Sequence, residues 1–394
     1  MAVRVAVIYH IWPHYRQAVA REMDRSRQID YTFFGSGEPF KGIKHADPKN
    51  FKRFVRAPFR YFGPILWQQA VVRSALSRDF DALILVGDPH FASCWVGAAI
   101  ARARGIPVFF WAHGWLRSER GLKRLIRNSY YLLANHLLLY AERGKRLGAE
   151  AGYPADRMTV IYNSLDVAKA DDIFARIENG SLNTLNPRAL FADPSRPLLI
   201  CTARLIDRCR FDVLIDAAAR LKSQGTPVNV LLVGDGPARA ALEAQAAANQ
   251  VAVHFYGASY DEEVNGQFIY NADLTVSPGK IGLTAMHSLM YGTPAITHST
   301  LDDQMPEVEA LTENVTGAFF SQGDVESLAQ TIQSWAATHP DRAATRQACR
   351  AAIATKWNPW TQAAIIEAAV LDKINRKTER AAKWNGAGKS IPEA

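Results

Sequence analysis

The 394-residue chain has no apolar run approaching the ~20 residues that a membrane-spanning helix requires, so nothing in it reads as a bilayer span. Cysteine is scarce. Cys94, Cys201, Cys209 and Cys349 are scattered, and none forms a Cys-x-x-Cys pair. That excludes a disulfide scaffold and a structural zinc site, and it points to a reducing compartment, the cytoplasm. Met1–Tyr9 lacks a charged leader followed by a long apolar segment, so it reads as a first strand and not as a signal peptide. No metal-ligand cluster stands out, and neither a metal nor a cofactor is expected. Zinc-finger, RRM and basic-zipper signatures are all missing. The net charge of +8 therefore points to phosphorylated ligands or an anionic membrane surface ahead of nucleic acid.

What is present is a regular alternation of short apolar runs and helical patterns. At ~100–200 residues per domain the length fits two or three domains. Val228–Val233, Val251–Tyr256, Leu274–Ser277 and Ala295–Thr297 read as buried strands, with helices over Asp261–Tyr270 and Leu283–Tyr291. Alternation at this length predicts an open α/β sheet with right-handed crossovers. Such sheets bind ligands beyond the carboxyl ends of their strands. The helix start at Gly282-Leu283-Thr284 offers unpaired backbone N–H groups and a positive dipole end, which suits a phosphate; a tight turn at Gly282 is the plainer alternative.

In order, the second half carries Ile200-Cys201-Thr202-Ala203-Arg204-Leu205, Phe211–Ala217, Gly234-Asp235-Gly236-Pro237, Tyr256-Gly257, Ala272-Asp273, Ser277-Pro278, Gly282-Leu283, Gly292-Thr293-Pro294, Thr316-Gly317 and Gly323-Asp324. This series resembles the nucleotide-sugar-binding half of the GT-B glycosyltransferases, in particular the large retaining family 4. Asn163-Ser164-Leu165-Asp166 resembles the family's Asn-Gly-Val-Asp segment, with Ser164 in place of the glycine. The resemblance implies two Rossmann-like domains with parallel sheets facing across a cleft. The expected division is an acceptor-binding domain over 1–167, a linker over 168–197 and a donor-binding domain over 198–355. A helix over 356–375 would cross back, and 376–394 would form a disordered tail.

The resemblance also implies roles. Arg204 stands where the family's arginine contacts the donor diphosphate, and a guanidinium fork matches phosphate oxygens. The family's second cation falls at Cys209, flanked by Arg208 and Arg210, and the sequence leaves open which of the two replaces it. The family's two glutamates, seven residues apart, fall on Gly279 and His287; both carboxylates are absent, and His287 is expected to bond a ribose hydroxyl. Glu307 and Glu309 lie on the next strand-end loop, and Glu307 is the candidate substitute carboxylate. Tyr256 is placed near the nucleotide base.

In the first half, Val108–Trp111 is a strand ending at Ala112-His113-Gly114. The family carries a histidine at this place beside the donor sugar, so His113 is the expected catalytic histidine; a structural role is its plain alternative. Asp88 and His90 are weaker candidates on the neighbouring strand end. Trp12, His14 and Tyr15, in the loop after the first strand, are candidate acceptor contacts, although Trp12 reads as well as a plug over the core. Lys41–Arg60, preceded by Phe40, interleaves seven cations with three phenylalanines and contains one acid, Asp47. Basic residues beside aromatics suit an anionic lipid surface. A second basic stretch, Leu116–Tyr131, places Leu122, Leu125, Ile126 and Tyr130 on one helical face; packing of that face on the sheet is the default.

The sequence therefore predicts a metal-independent, retaining glycosyltransferase. It would move a sugar from a UDP- or GDP-sugar to a glycan or lipid-linked acceptor in surface polysaccharide assembly, without nucleic acid as a partner. A non-catalytic GT-B binding protein and a nucleotide-sugar 2-epimerase are the alternatives.

Overall fold

The computed structural model describes residues 2–40 and 43–387; Lys41 of the first basic stretch and the end of the expected tail, 388–394, lie outside them. The chain divides into two compact units. The first holds the residues up to Ser164 together with the last helix, and the second is Leu165–Asn358.

In the first unit the strands are β1 Val3–Ile8, β2 Ile29–Gly35, β3 Phe54–Arg56, β4 Arg60–Phe62, β5 Ile65–Trp67, β6 Ala82–Val86, β7 Val108–Ala112, β8 His136–Leu139 and β9 Met158–Val160. Seven of them form a parallel sheet in the order β3-β2-β1-β6-β7-β8-β9, and β4 and β5 pair as a separate antiparallel hairpin. The runs VAVI, ALIL and VFFW are covered on both faces, which is why they read as continuous and not alternating. The helices are α1 Gln17–Asp24, α2 Gln69–Leu76, α3 Ala92–Ala103, α4 Gly121–Leu132 and α5 Glu142–Glu150.

The second unit contributes α6 Val167–Glu178, α7 Phe211–Ser223, α8 Arg239–Ala248, α9 Glu262–Asn271, α10 Leu283–Met290, α11 Val325–Thr338 and α12 Arg342–Thr355. Its strands are β10 Leu198–Thr202, β11 Asn229–Val233, β12 Ala252–Gly257, β13 Leu274–Ser277, β14 Ala295–His298 and β15 Gly317–Phe320, parallel in the order β12-β11-β10-β13-β14-β15.

Two expectations change. The segment 168–197, read as a linker, is part of the second unit: Arg176 of α6 bonds Glu263 on α9 at 2.6 Å, and Arg188 bonds Asp273 at 2.6 Å. The final helix, α13 Pro359–Ala387, continues well beyond the point where the polar tail was expected to lose order. Its apolar residues Ile366 and Val370 pack into the first unit's core with Val19 and Met23 of α1. Its Gln362 ties down the Asn-Ser segment, accepting from the Ser164 hydroxyl at 2.7 Å and donating to the Tyr162 carbonyl at 2.7 Å.

Candidate functional site

In the second sheet the strand order reverses between β10 and β13. The segments leaving those two strands are where an open α/β sheet places a ligand. After β10, residues 203–205 press against the glycine turn: a Cβ on Gly234 would lie 1.9 Å from the Ala203 carbonyl oxygen. Leu205 N–H donates to the Asp235 carbonyl at 3.1 Å, so the backbone around Arg204 is fixed. The Arg204 side chain is exposed and makes no ion pair among the described residues.

After β13, the chain enters α10 at Gly282. A Cβ there would make only an ordinary contact with the Met305 side chain at 3.7 Å, and Gly282, Leu283 and Thr284 are half-buried, so the helix start is partly accessible. Thr284 Oγ1 donates to the Thr202 carbonyl at 3.2 Å, tying the first turn of α10 to the end of β10. The first-turn N–H groups of Leu283 and Thr284 have no place in the helix ladder.

Between these segments runs a short 3-10 turn, Asp207–Cys209. The two flanking arginines differ in their partners there. Arg210, in a left-handed conformation (φ 54°), grips Asp212 with both Nε and Nη2 at 2.9–3.2 Å. Arg208 is exposed and makes no ion pair among the described residues. The same turn crowds Gly279, where the resemblance expects the first glutamate. Gly279 N–H donates to the Cys209 carbonyl at 3.0 Å, and a Cβ on Gly279 would sit 2.1 Å from the Arg208 carbonyl oxygen. Any side chain there collides with backbone.

At the second glutamate's place the charge is supplied from elsewhere. His287 Nε2 lies 2.9 Å from Glu262 Oε1, and the Tyr291 hydroxyl donates to the same oxygen at 2.8 Å. Nδ1 of His287 is 3.5 Å from Thr202 Oγ1. Glu262 opens α9, just after the N-cap Asp261. Burial alone would raise its pKa, but His287, Tyr291 and Lys169 outweigh it and hold the carboxyl below its ordinary value. Glu262 was not singled out in the sequence, because it lies 25 residues from His287 on another helix.

Two other expected residues, Glu307 and Tyr256, and Lys280 next to Gly279 are placed as follows. Glu307 sits in the 3-10 turn Pro306–Ala310 and is 3% exposed, so it turns inward and is not presented as a substitute carboxylate. Lys280 is engaged with Asp303 at 2.6 Å. Tyr256, on the edge strand β12, is half-exposed and packs edge-on against Phe268 at 4.9 Å.

In the first unit the strand order reverses between β1 and β6. The loop after β1 contains Arg16, whose guanidinium lies 4.8 Å from the Tyr9 ring, 5.4 Å from Trp111 and 5.5 Å from Tyr140, with an N–H donated to the Tyr140 hydroxyl. It makes no ion pair among the described residues. His113, just past β7, packs edge-on against Tyr140 at 5.0 Å. Desolvation and then the Arg16 cation push its pKa down to about 4, with Asp88 pulling the other way. The ring is exposed and solvent moderates the shift, but the direction leaves a neutral imidazole near neutral pH. Asp88 and His90 are bonded to each other at 2.8 Å.

Trp12 is not available to an acceptor. It is fully buried, donates its indole N–H to the Phe34 carbonyl at 3.0 Å and packs edge-on against Phe33, which makes it the core plug. His14 remains exposed and Tyr15 half-buried in the same loop. On α4, Tyr130 and Tyr131 pack inward, but Leu122, Leu125 and Ile126 are 70%, 62% and 46% exposed, so the expected packing of that face on the sheet is made by its last turn alone.

Residues 15–169 match the family model described as Glycosyltransferase Family 4, and residues 184–352 match Glycosyl transferases group 1. A GDP-mannose-dependent alpha-(1-6)-phosphatidylinositol dimannoside mannosyltransferase of Mycobacterium tuberculosis is 31% identical over 182 residues, 42% of this chain and 45% of its own length. A glycogen synthase of Halorhodospira halophila is 30% identical over 153 residues, 37% of this chain and 31% of its own. The chain thus spans less than half the length of these relatives. Among solved structures, Anabaena HepE in complex with UDP is similar in fold, with TM-score 0.68 and 16% identity over 94% of this chain and all of that one. With two parallel α/β units and both family domains in order, the chain belongs to the GT-B glycosyltransferases of the group 1 and family 4 type.

Proposed function

We propose that this protein is an active glycosyltransferase whose second unit binds a UDP- or GDP-sugar and whose first unit presents the acceptor. The observation that carries the reading is the pair of uncommitted guanidiniums, Arg204 and Arg208, on segments tied to the partly accessible N-terminus of α10. Two forks and two free N–H groups suit a diphosphate in the ground state. They gain strength as charge develops on the departing phosphate, which is where electrostatic stabilisation lowers a barrier. That positive charge comes from the chain, so the transfer is metal-independent. Glu262 and His287 together take the ribose. The match to the family models supports retention of configuration, with the leaving phosphate receiving the acceptor proton.

His113, neutral and beside Arg16, faces the acceptor side of the chemistry, with His14 and Tyr15 in the adjoining loop. The uncovered apolar face of α4, with exposed Arg120, Lys123 and Arg124 around it, supports docking on an anionic membrane. Among the described residues no helix is long and apolar enough to cross one. Together with the name of the mycobacterial relative, this favours a lipid-linked or glycan acceptor at the cytoplasmic face, in surface polysaccharide assembly.

A catalytically silent binder is the second reading, and the occlusion at Gly279 is the observation in its favour. The 2-epimerase reading loses its main acid–base candidate, because Glu307 is buried. Incubation with UDP- and GDP-sugars separates these. An active transferase releases UDP or GDP, slowly to water and faster with acceptor, and Arg204→Ala abolishes the release. A silent binder shows nucleotide binding and no release. An epimerase changes the donor sugar without an acceptor.

A further inference from the structure

The first unit contains a cavity that the donor and acceptor readings leave unused. It has a volume of about 490 Å³ and is walled by Arg102, Arg157, Lys373, Arg376 and Lys377, with Asp156 as its one carboxylate. It lies at the amino-terminal ends of β7, β8 and β9, against Pro107, Asn135 and the turn before Met158. His113 follows the carboxyl end of β7, so the cavity is at the opposite edge of the sheet.

Arg102, Arg376 and Lys377 are exposed and Arg157 and Lys373 half-buried, and the two nearest the strand ends are anchored to backbone. Arg102 Nη1 donates to the Leu132 carbonyl at 2.8 Å, and Arg157 donates Nη2 to the Ala134 carbonyl at 2.9 Å and Nε to the Asn135 carbonyl at 3.3 Å. Both forks are thereby held in place on one turn of backbone, with N–H groups left over. Lys373 and Lys377 are one helical turn apart on α13 and make no ion pair among the described residues. Arg376 alone has a carboxylate, Asp372 at 2.8 Å. Beside the cavity, His136 is 5% exposed, and its Nδ1 has no hydrogen-bond partner. Nearby Lys373 adds to the burial that keeps this imidazole neutral. Like charges gathered in one concavity repel, and a structure that fixes them there offsets the cost when an anion enters. Immobilised forks lower the ordering cost of that binding.

We propose that this basic cavity binds a multiply charged phosphate group, of the pyrophosphate class, at a site separate from the donor. Five cations against one lining carboxylate exceed what a single carboxylate ligand would neutralise, and the volume falls within the range of small-ligand pockets. The group comes either from a soluble phosphate compound or from the headgroup of an anionic lipid.

The test is calorimetric titration of inorganic pyrophosphate into the full chain carrying Arg204→Ala, so that the proposed donor site is weakened and contributes less to the signal. The expected result is one pyrophosphate per chain. Lys373→Glu with Lys377→Glu should weaken it by about tenfold or more, as loss of charge-assisted contacts requires. Lys373→Gln with Lys377→Gln, which adds no repulsion, should weaken it in the same direction and guards against misfolding of the reversal variant. The lysine variants made in the otherwise native chain should bind UDP or GDP like the native protein. Absence of pyrophosphate binding in the Arg204→Ala chain, or equal affinity in the lysine variants, overturns the proposal. Co-sedimentation with vesicles containing phosphatidylinositol 4-phosphate, whose headgroup carries a multiply charged phosphate monoester, distinguishes the sources. Loss of sedimentation in the charge-reversed variant assigns a lipid headgroup; unchanged sedimentation with weakened pyrophosphate binding assigns a soluble compound.

Discussion

A Cβ on Gly279 would lie 2.1 Å from the carbonyl oxygen of Arg208. The 3-10 turn beside it occupies the space that a side chain at 279 would need. Gly279→Glu is expected to destabilise the second unit and not to restore a family-like carboxylate. Overpacking of this kind costs about 1–3 kcal/mol, and contact with backbone puts it at the upper end. Urea unfolding of Gly279→Glu and Gly279→Ala checks this; native stability in the glutamate variant would mean that the turn yields easily.

The Glu262–His287 pair should be visible in the pH dependence of stability. Glu262's folded pKa is lowered, so its contribution is fully present above the unfolded carboxyl value of about 4.3 and is lost as pH falls through the folded value. Glu262→Gln should be less stable than the native chain near neutral pH, with the gap closing on acidification. A double-mutant cycle with His287→Ala should return a coupling of about 0.5–3 kcal/mol. Additive losses at neutral pH would show that the two side chains do not act together.

The three arginines of the donor segment should separate. Arg204→Ala and Arg208→Ala each remove an uncommitted guanidinium and should weaken nucleotide diphosphate binding by about tenfold or more. Arg210→Ala removes a group already satisfied by Asp212 and should change affinity little. Calorimetry with UDP and GDP measures all three. A larger loss at Arg210 than at Arg208 would reverse the assignment.

The exposed start of α4 makes a membrane prediction. Replacing Leu122 and Leu125 by Gln should reduce binding to phosphatidylglycerol vesicles with little change in thermal stability, because both side chains are largely in solvent. A substantial fall in melting temperature instead would show that the face is packed in solution.

Strand β13 was legible to the residue, and β11 and β14 to within one, because buried parallel strands are continuous apolar runs bounded by turn residues. The ends of helices such as α4 and α13 were less so, since an apolar stripe does not say whether anything covers it. The site was legible where one segment carries the chemistry, as at Arg204 and Gly282. It was not legible where partners come from distant segments. Glu262 meets His287 across two helices, and Arg16 meets Tyr9, Trp111 and Tyr140 from three strand ends. Trp12 and Glu307 misled for a related reason: a loop position next to a strand end fixes the backbone, and packing alone decides whether the side chain turns outward.

The most direct measurement is thermal unfolding of the native chain and of Arg204→Ala against UDP, GDP, ADP and CMP. A nucleotide at ~100 times its dissociation constant adds about 2.7 kcal/mol, a rise of several degrees at roughly 2–4 °C per kcal/mol. Such a rise is expected with UDP or GDP in the native protein, cut to about half or less in Arg204→Ala at the same nucleotide concentration. No rise with any nucleotide, or an equal rise in both proteins, would contradict the placement of the donor diphosphate between β10 and α10.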